Sequence, residues 1–136
     1  MSSKKAVGWG SVEQAKKLEK GKQKSIYKEL KQMQSKSHPL NPQVKLTYLL
    51  TKKEDDVEVT IIHAFVPKDS DIPEHVHEVN DIIYPISGKA TIWIDGIGDM
   101  KLEPGVIVNV PPGILHKVYN VIEDLVVFDV FSGAII

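Results

Sequence analysis

The sequence predicts an all-β fold behind a short helical N-terminal extension. Three observations carry that prediction. From Val44 onward apolar residues recur with a period of two, glycines and prolines punctuate the chain at short intervals, and helical spacing is confined to the first third. A chain of 136 residues is the size of one ordinary domain, long enough to close a single core. The division expected is residues 1–42 as a helical arm and residues 43–136 as the β domain.

Ser11 followed by Gln14 reads as a capping box that opens a helix, which Gly21 closes. Ile26, Tyr27, Leu30 and Met33 then recur on one face over about two turns, which predicts a short amphipathic helix docked on something apolar. The stretch SKSHPLNPQ carries two prolines and marks the boundary, with His38 beside Pro39 read as structural.

In the β domain Val44, Leu46, Tyr48 and Leu50 alternate with polar residues, as a half-buried strand requires. KKEDD reads as a turn. Val57 to Val66 is the next strand, with Ile61, His63 and Phe65 sharing one face. Further strands are expected at 82–87, 90–95, 106–110, 116–121 and 125–131. Asp95–Gly96 is a hairpin signal, and Gly88, Gly105 and Glu123–Asp124 supply other turns. Many short strands of this kind make a sandwich or a barrel.

Composition narrows the chemistry. The chain has no cysteine, so disulfides, thiolate metal sites and a cysteine nucleophile are excluded. All 17 basic residues are lysine, which removes the two-point fork that usually clamps carboxylates and phosphates. Residues 1–36 hold ten lysines against three glutamates, whereas the remainder holds seven lysines against fifteen acids. The basic segment is read as a solvated arm against an acidic body. Neither nucleic acid nor a membrane is an expected partner, because no arginine and no recognition-helix pattern accompanies it. No apolar run is long enough to span a bilayer, and the N-terminus has no apolar signal core, so the default location is the cytoplasm.

Two runs carry the functional signal, PEHVHEVNDIIYPISG and GVIVNVPPGILHKVYN. His75 and His77 stand two apart, so on an extended segment both project to one face. With Asp81 and His116 they form a set that one divalent metal can collect. The second run places Gly105, Pro111, Gly113, His116 and Asn120 at fixed offsets, with glycine and proline where a strand turns sharply.

These runs resemble the paired signature motifs of the cupin superfamily, small β-barrels of jelly-roll type, over roughly residues 43–136. The second motif matches at every defined position. In the first, Asp69 stands where the family usually has glycine and Asp81 where it usually has glutamate, one methylene longer. The resemblance implies His75, His77, Asp81 and His116 as ligands of one divalent transition metal per chain, with Fe, Mn, Ni, Cu and Zn all chemically suited. Relatives that act on oxalate or cysteine use an arginine, which this chain lacks.

The expected function is therefore that of a metal-dependent cupin acting on a small, oxygen-ligating organic substrate, foremost as a dioxygenase-like oxidoreductase. An isomerase or lyase of the same fold, or a non-catalytic metal- or metabolite-binding regulatory module, is the alternative. His63 is the candidate base or ligand-orienting residue, and Ile61, Phe65, Ile83 and Phe128 are the candidate pocket residues. Trp93 reads as packing. Ile82, Tyr84 and Ile86 are apolar on the opposite face of their strand, which predicts a homodimer.

Overall fold

The computed structural model describes residues 8–136. Lys4 and Lys5 of the basic arm lie outside them. Two single-turn helices, α1 (Val12–Ala15) and α2 (Lys52–Asp55), and one 3₁₀ turn (Leu30–Gln32) accompany eight strands. The strands are β1 (Lys36–His38), β2 (Asn41–Leu50), β3 (Thr60–Val66), β4 (Ile72–His75), β5 (Asp81–Ile94), β6 (Gly98–Leu102), β7 (Val108–Val110) and β8 (His116–Phe131). They pair antiparallel throughout in the order β1-β2-β3-β8-β5-β6, with β4 added to β8 and β7 to β5. The predicted all-β class holds. Among the described residues no helix is long and apolar enough to cross a membrane.

The long ribbon of β5 and β8 organises the rest. It runs from Asp81↔Phe131 at one end to Ile94↔His116 at the other, and its register slips three times between Pro85 and Thr91. Those slips are the bend. Gly88 has φ +92°, and a Cβ there would collide with the carbonyl oxygen of Asp124 and stand 2.7 Å from the Cα of Leu125. Farther along β8, Asn120 adopts φ 50°, a left-handed conformation that asparagine tolerates better than most residues. The stretches expected as four strands are thus two, each folded at its middle. Glu123–Asp124 is accordingly strand rather than turn, and Asp124 Oδ1 accepts from the Lys68 amide at 2.7 Å.

Side chains from both halves of the folded ribbon fill the interior. Ile92, Leu102, Leu125, Val44, Val66 and Val110 are all essentially inaccessible to solvent. On β3 the inward residues are Ile62, Ala64 and Val66, so Ile61, His63 and Phe65 face outward, against the sequence-based expectation. Both faces of that strand are apolar, and alternation alone does not say which is core. Asp95–Gly96 does form the β5–β6 hairpin, closed by the Ile97 amide on the Ile94 carbonyl at 3.0 Å.

The N-terminal segment departs most from expectation. The capping box forms, with Ser11 Oγ accepting from the Gln14 amide at 3.2 Å and Gln14 Oε1 accepting from the Ser11 amide at 2.7 Å. The helix nevertheless ends at Ala15 rather than near Gly21, because no apolar face is docked to support further turns. The second helix is absent apart from the 3₁₀ turn, and Ile26 and Tyr27 are exposed. Ser25 at φ 57° breaks the helical path, and Lys28 instead reaches the buried Asp55 at 2.7 Å and the Leu49 carbonyl at 2.7 Å. Leu30 and Met33 border a groove with Leu49, Leu50 and Phe128, so the segment rests on the outer face of the sheet without being helical.

Gly88→Ala should destabilise the protein by about 3 kcal/mol, from left-handed strain together with the clash on Asp124. Gly96 also has positive φ but open space around it, so Gly96→Ala should lose only about 1 kcal/mol. Urea unfolding of both variants checks the difference.

Candidate metal centre

Asp81 opens β5 and His116 opens β8, at opposite ends of the ribbon. β4 pairs with β8 so that His75 lies directly across from His116, and His77 follows two residues later in the connection to β5. The fold of the ribbon closes the set. His116 Nε2 stands 3.1 Å from Asp81 Oδ2, and His77 Nε2 stands 3.6 Å from the same oxygen. The ring centroids of His75 lie 4.3 Å from His116 and 4.9 Å from His77. One ligand atom from each of the four residues falls within 4.8 Å of the others.

Backbone carbonyls orient two of the rings. His75 Nδ1 lies 2.7 Å from the Pro73 carbonyl and His116 Nδ1 lies 2.9 Å from the Ile114 carbonyl. A carbonyl only accepts, so Nδ1 carries a proton in both and each Nε2 is left to the cluster, where that of His116 donates to Asp81 until a metal takes the place of its proton. His77 is braced edge-on against Phe131, centroids 4.7 Å apart. Four atoms each about 2.0–2.2 Å from one ion require a cluster of this compactness. Three imidazoles and a carboxylate with no lysine among them are a donor set without an internal cation, so the residues present fit a divalent transition metal.

Burial holds His75 and His77 below the ordinary histidine pKa, which keeps both as lone-pair donors at neutral pH. His116 goes the other way. Burial pulls it down, but the hydrogen bond and the charge of Asp81 carry it above its ordinary value. Burial likewise disfavours ionised Asp81, yet hydrogen bonds from Asp129 and His116 outweigh that and leave it a carboxylate.

Asp129 is the residue that the motif pattern does not contain. It lies on β8 with the inward parity of Val127 and Phe131, opposite Ile83 on β5. Its Oδ1 and that of Asp81 are both buried, and neither meets a hydrogen-bond donor from another of the described residues. Two ionised carboxylates cannot remain side by side there, and burial plus the neighbouring Asp81 charge push Asp129 well above the ordinary carboxylate range. Asp129 therefore holds the proton and donates it to Asp81, which satisfies both oxygens.

A cavity of about 380 Å³ opens over the cluster. Its wall is largely apolar, with Leu46, Ile62, Ile72, Ile83 and Val118, and its other polar residues are His38, Tyr48 and Asp129. Ile83 is there as expected. Ile61, Phe65, Phe128 and His63 are not, for the reason of strand parity given above, and His63 packs instead against Phe128 on the outside, centroids 5.9 Å apart. That placement removes His63 as a base for this site. Asn120 is also turned out, by the bulge that its positive φ creates. Asp69, at the position where glycine is usual, has φ 67° and so keeps the turn that glycine would make.

Calorimetric titration should find one divalent metal bound per chain, and His75→Ala with His116→Ala should abolish the binding. Asp81→Ala should weaken it by roughly tenfold or more, while Asp81→Glu retains it. A metal must displace the His116 proton, so affinity should fall on acidification, with the fall already under way above pH 6.5, the ordinary histidine value. Equal metal content in the parent and the double variant would refute the assignment.

Comparison with known proteins places the chain. The family model for the cupin domain matches residues 62–131, which contain all four cluster residues and Asp129. An uncharacterized protein of Streptomyces coelicolor is 36% identical over 56 residues, 41% of this chain and 52% of that protein, so the match spans about half the relative's length. Among solved structures, an RmlC-like cupin from Shewanella frigidimarina superposes with a TM-score of 0.69 at 19% identity, covering 81% of this chain and 92% of that one. A protein described as a predicted oxalate decarboxylase from Thermotoga maritima gives 0.68 at 18% identity, covering 78% and 97%. At such identity these likenesses establish the fold alone. With its domain match over more than half its length and its strands arranged as in solved cupins, this chain belongs to the cupin family.

Proposed function

We propose that the chain is a metal-dependent enzyme whose small organic substrate binds through oxygen atoms, and that its reaction is of the oxygenase type. The observation that carries this reading is the apolar cavity, without lysine among the described residues, that has the three histidines and Asp81 in its wall. Four protein ligands on an octahedral ion would leave two positions, and the ion would supply Lewis acidity and redox capacity there. The protein's part is to hold Asp81 ionised, orient the imidazoles and exclude water from an apolar substrate body. Dioxygen as co-substrate, with both atoms entering the product, needs no further reductant.

Iron(II), manganese, nickel, copper or zinc should be restored in turn to metal-depleted protein, with oxygen uptake followed against enols, diketones and catechols. Substrate-dependent uptake with at least one metal, lost in His116→Ala, is the expected outcome. Turnover without oxygen would instead support an isomerase or lyase, a reading favoured by the hydroxyl of Tyr48 in the cavity wall as a proton carrier. Tight metabolite binding with no turnover would support a regulatory module.

We also propose a homodimer built through the outer face. Tyr84 is 48% exposed, Ile86 43% and Phe128 36%, and the N-terminal segment covers that face only near Phe128. Ile135 and Ile136, by contrast, border the cavity. Light scattering at micromolar concentration should give twice the chain mass. A monomer would leave the N-terminal segment as the sole cover.

A further inference from the structure

His38 ends β1, where the register slips, and Pro39 and Leu40 turn the chain into β2. Its ring forms part of the cavity wall and meets His75 edge-to-face, centroids 6.2 Å apart. The Leu40 amide donates to His38 Nδ1 at 3.0 Å. An accepting Nδ1 has no proton, so the neutral ring must carry its proton on Nε2.

His75 and His116 have the opposite arrangement. Their Nδ1 atoms donate to carbonyl oxygens, which leaves their Nε2 atoms to the cluster. His38 faces an amide, and its Nε2–H is a donor with no hydrogen-bond partner among the described residues. One backbone group thus sets which ring nitrogen carries the proton.

We propose that His38 is a substrate-binding residue, its Nε2–H donating to an oxygen of the ligand held in the cavity. The inference rests on the reading of this cavity as the place of an oxygen-ligating substrate. It also limits the substrate class. The donor is neutral and no lysine among the described residues borders the cavity, so the oxygen it serves is a carbonyl, enol or hydroxyl oxygen rather than a second carboxylate.

Two substitutions separate this role from the turn that His38 also supports. In His38→Asn the amide oxygen replaces Nδ1 and accepts from the residue two ahead, as asparagine does in turns, but nothing reaches the cavity. In His38→Gln the longer amide can place an N–H near the position of Nε2 and loses the bond to Leu40. Calorimetry on the zinc-loaded full chain with 2,4-pentanedione, a chelating diketone, is the test. The asparagine variant should bind the diketone roughly five- to tenfold more weakly, the loss of one hydrogen bond, with unchanged zinc content and melting temperature. The glutamine variant should bind nearly as the parent does but melt lower.

Equal diketone affinity in parent and asparagine variant would overturn the proposal, as would equal weakening in both variants, which marks a purely structural role. Should either variant fail to fold, nitrogen-15 spectra of the zinc-loaded parent decide the matter. His38 should appear as the Nε2–H tautomer, and its Nε2 resonance should move on adding the diketone. The other tautomer or an unmoved resonance would overturn the role of His38 alone. A zinc-loaded parent that binds no diketone would overturn the substrate reading, and this inference with it.

Discussion

The bend of the β5–β8 ribbon at Gly88 is the constraint on which the site depends. Asp81 and His116 lie at opposite ends of that ribbon, His116 paired with Ile94 and Asp81 with Phe131. Drawn out straight, thirteen residues of strand would separate them by about 43 Å. In the folded molecule they are 3.1 Å apart. Only a residue without a side chain permits the close approach of Gly88 to Asp124, and the irregular register around it converts a flat ribbon into two facing halves. The interior apolar side chains and the metal cluster both lie in the space that this fold encloses. A substitution at Gly88 therefore acts on core packing and on site geometry together.

Within that frame, the polar groups are arranged to be stable before any metal arrives. Asp81 is almost wholly inaccessible, and a bare carboxylate there would be strongly disfavoured. It is supported from two sides, by His116 at one oxygen and by Asp129 at the other. Asp129 must stay protonated for this to work, and its position next to an ionised partner in an apolar setting ensures it. The carboxyl pair fixes the orientation of Asp81, much as the Pro73 and Ile114 carbonyls fix the rings of His75 and His116. These are outer contacts, yet they decide which lone pairs face inward. The shorter side chain at position 81 matters less than its length suggests, because Oδ2 already stands within 4 Å of two imidazole nitrogens.

Much of this was legible in the sequence, and the exceptions have physical reasons. Histidines two apart on an extended segment share a face by local spacing, and the resemblance of both runs to the cupin motifs joined them with Asp81 and with His116 beyond its Pro-x-Gly turn. The parity of β3 was not legible, because Ile61, His63 and Phe65 are as apolar a set as Ile62, Ala64 and Val66, and tertiary packing made the choice. The second N-terminal helix had the right spacing at Ile26, Leu30 and Met33, but two turns of helix need a docked face, and the bond of Lys28 to Asp55 holds the segment extended instead. Asp129 did leave a trace, an acid on the inward parity within VVFDVF, which an apolar strand tolerates only where a partner waits. His38 left none, since the tautomer that matters is set by an amide whose place depends on the β1–β2 turn.

The electrostatic balance of the cavity bears on what can occupy it. With a metal in place the imidazoles are neutral, protonated Asp129 contributes no charge, and no lysine among the described residues reaches the wall, so Asp81 is the single charged side chain at the centre. A divalent ion there would leave one positive charge uncompensated in an apolar enclosure. A singly charged oxygen ligand such as an enolate would neutralise it, whereas a dicarboxylate would bring a second negative charge with no cation to meet it, a strongly unfavourable burial. The likeness in fold to a protein described as a predicted oxalate decarboxylase therefore carries no dicarboxylate substrate over to this chain. Charge balance and the donor of His38 select for the same thing, one ionised oxygen on the metal side and one uncharged acceptor facing the histidine.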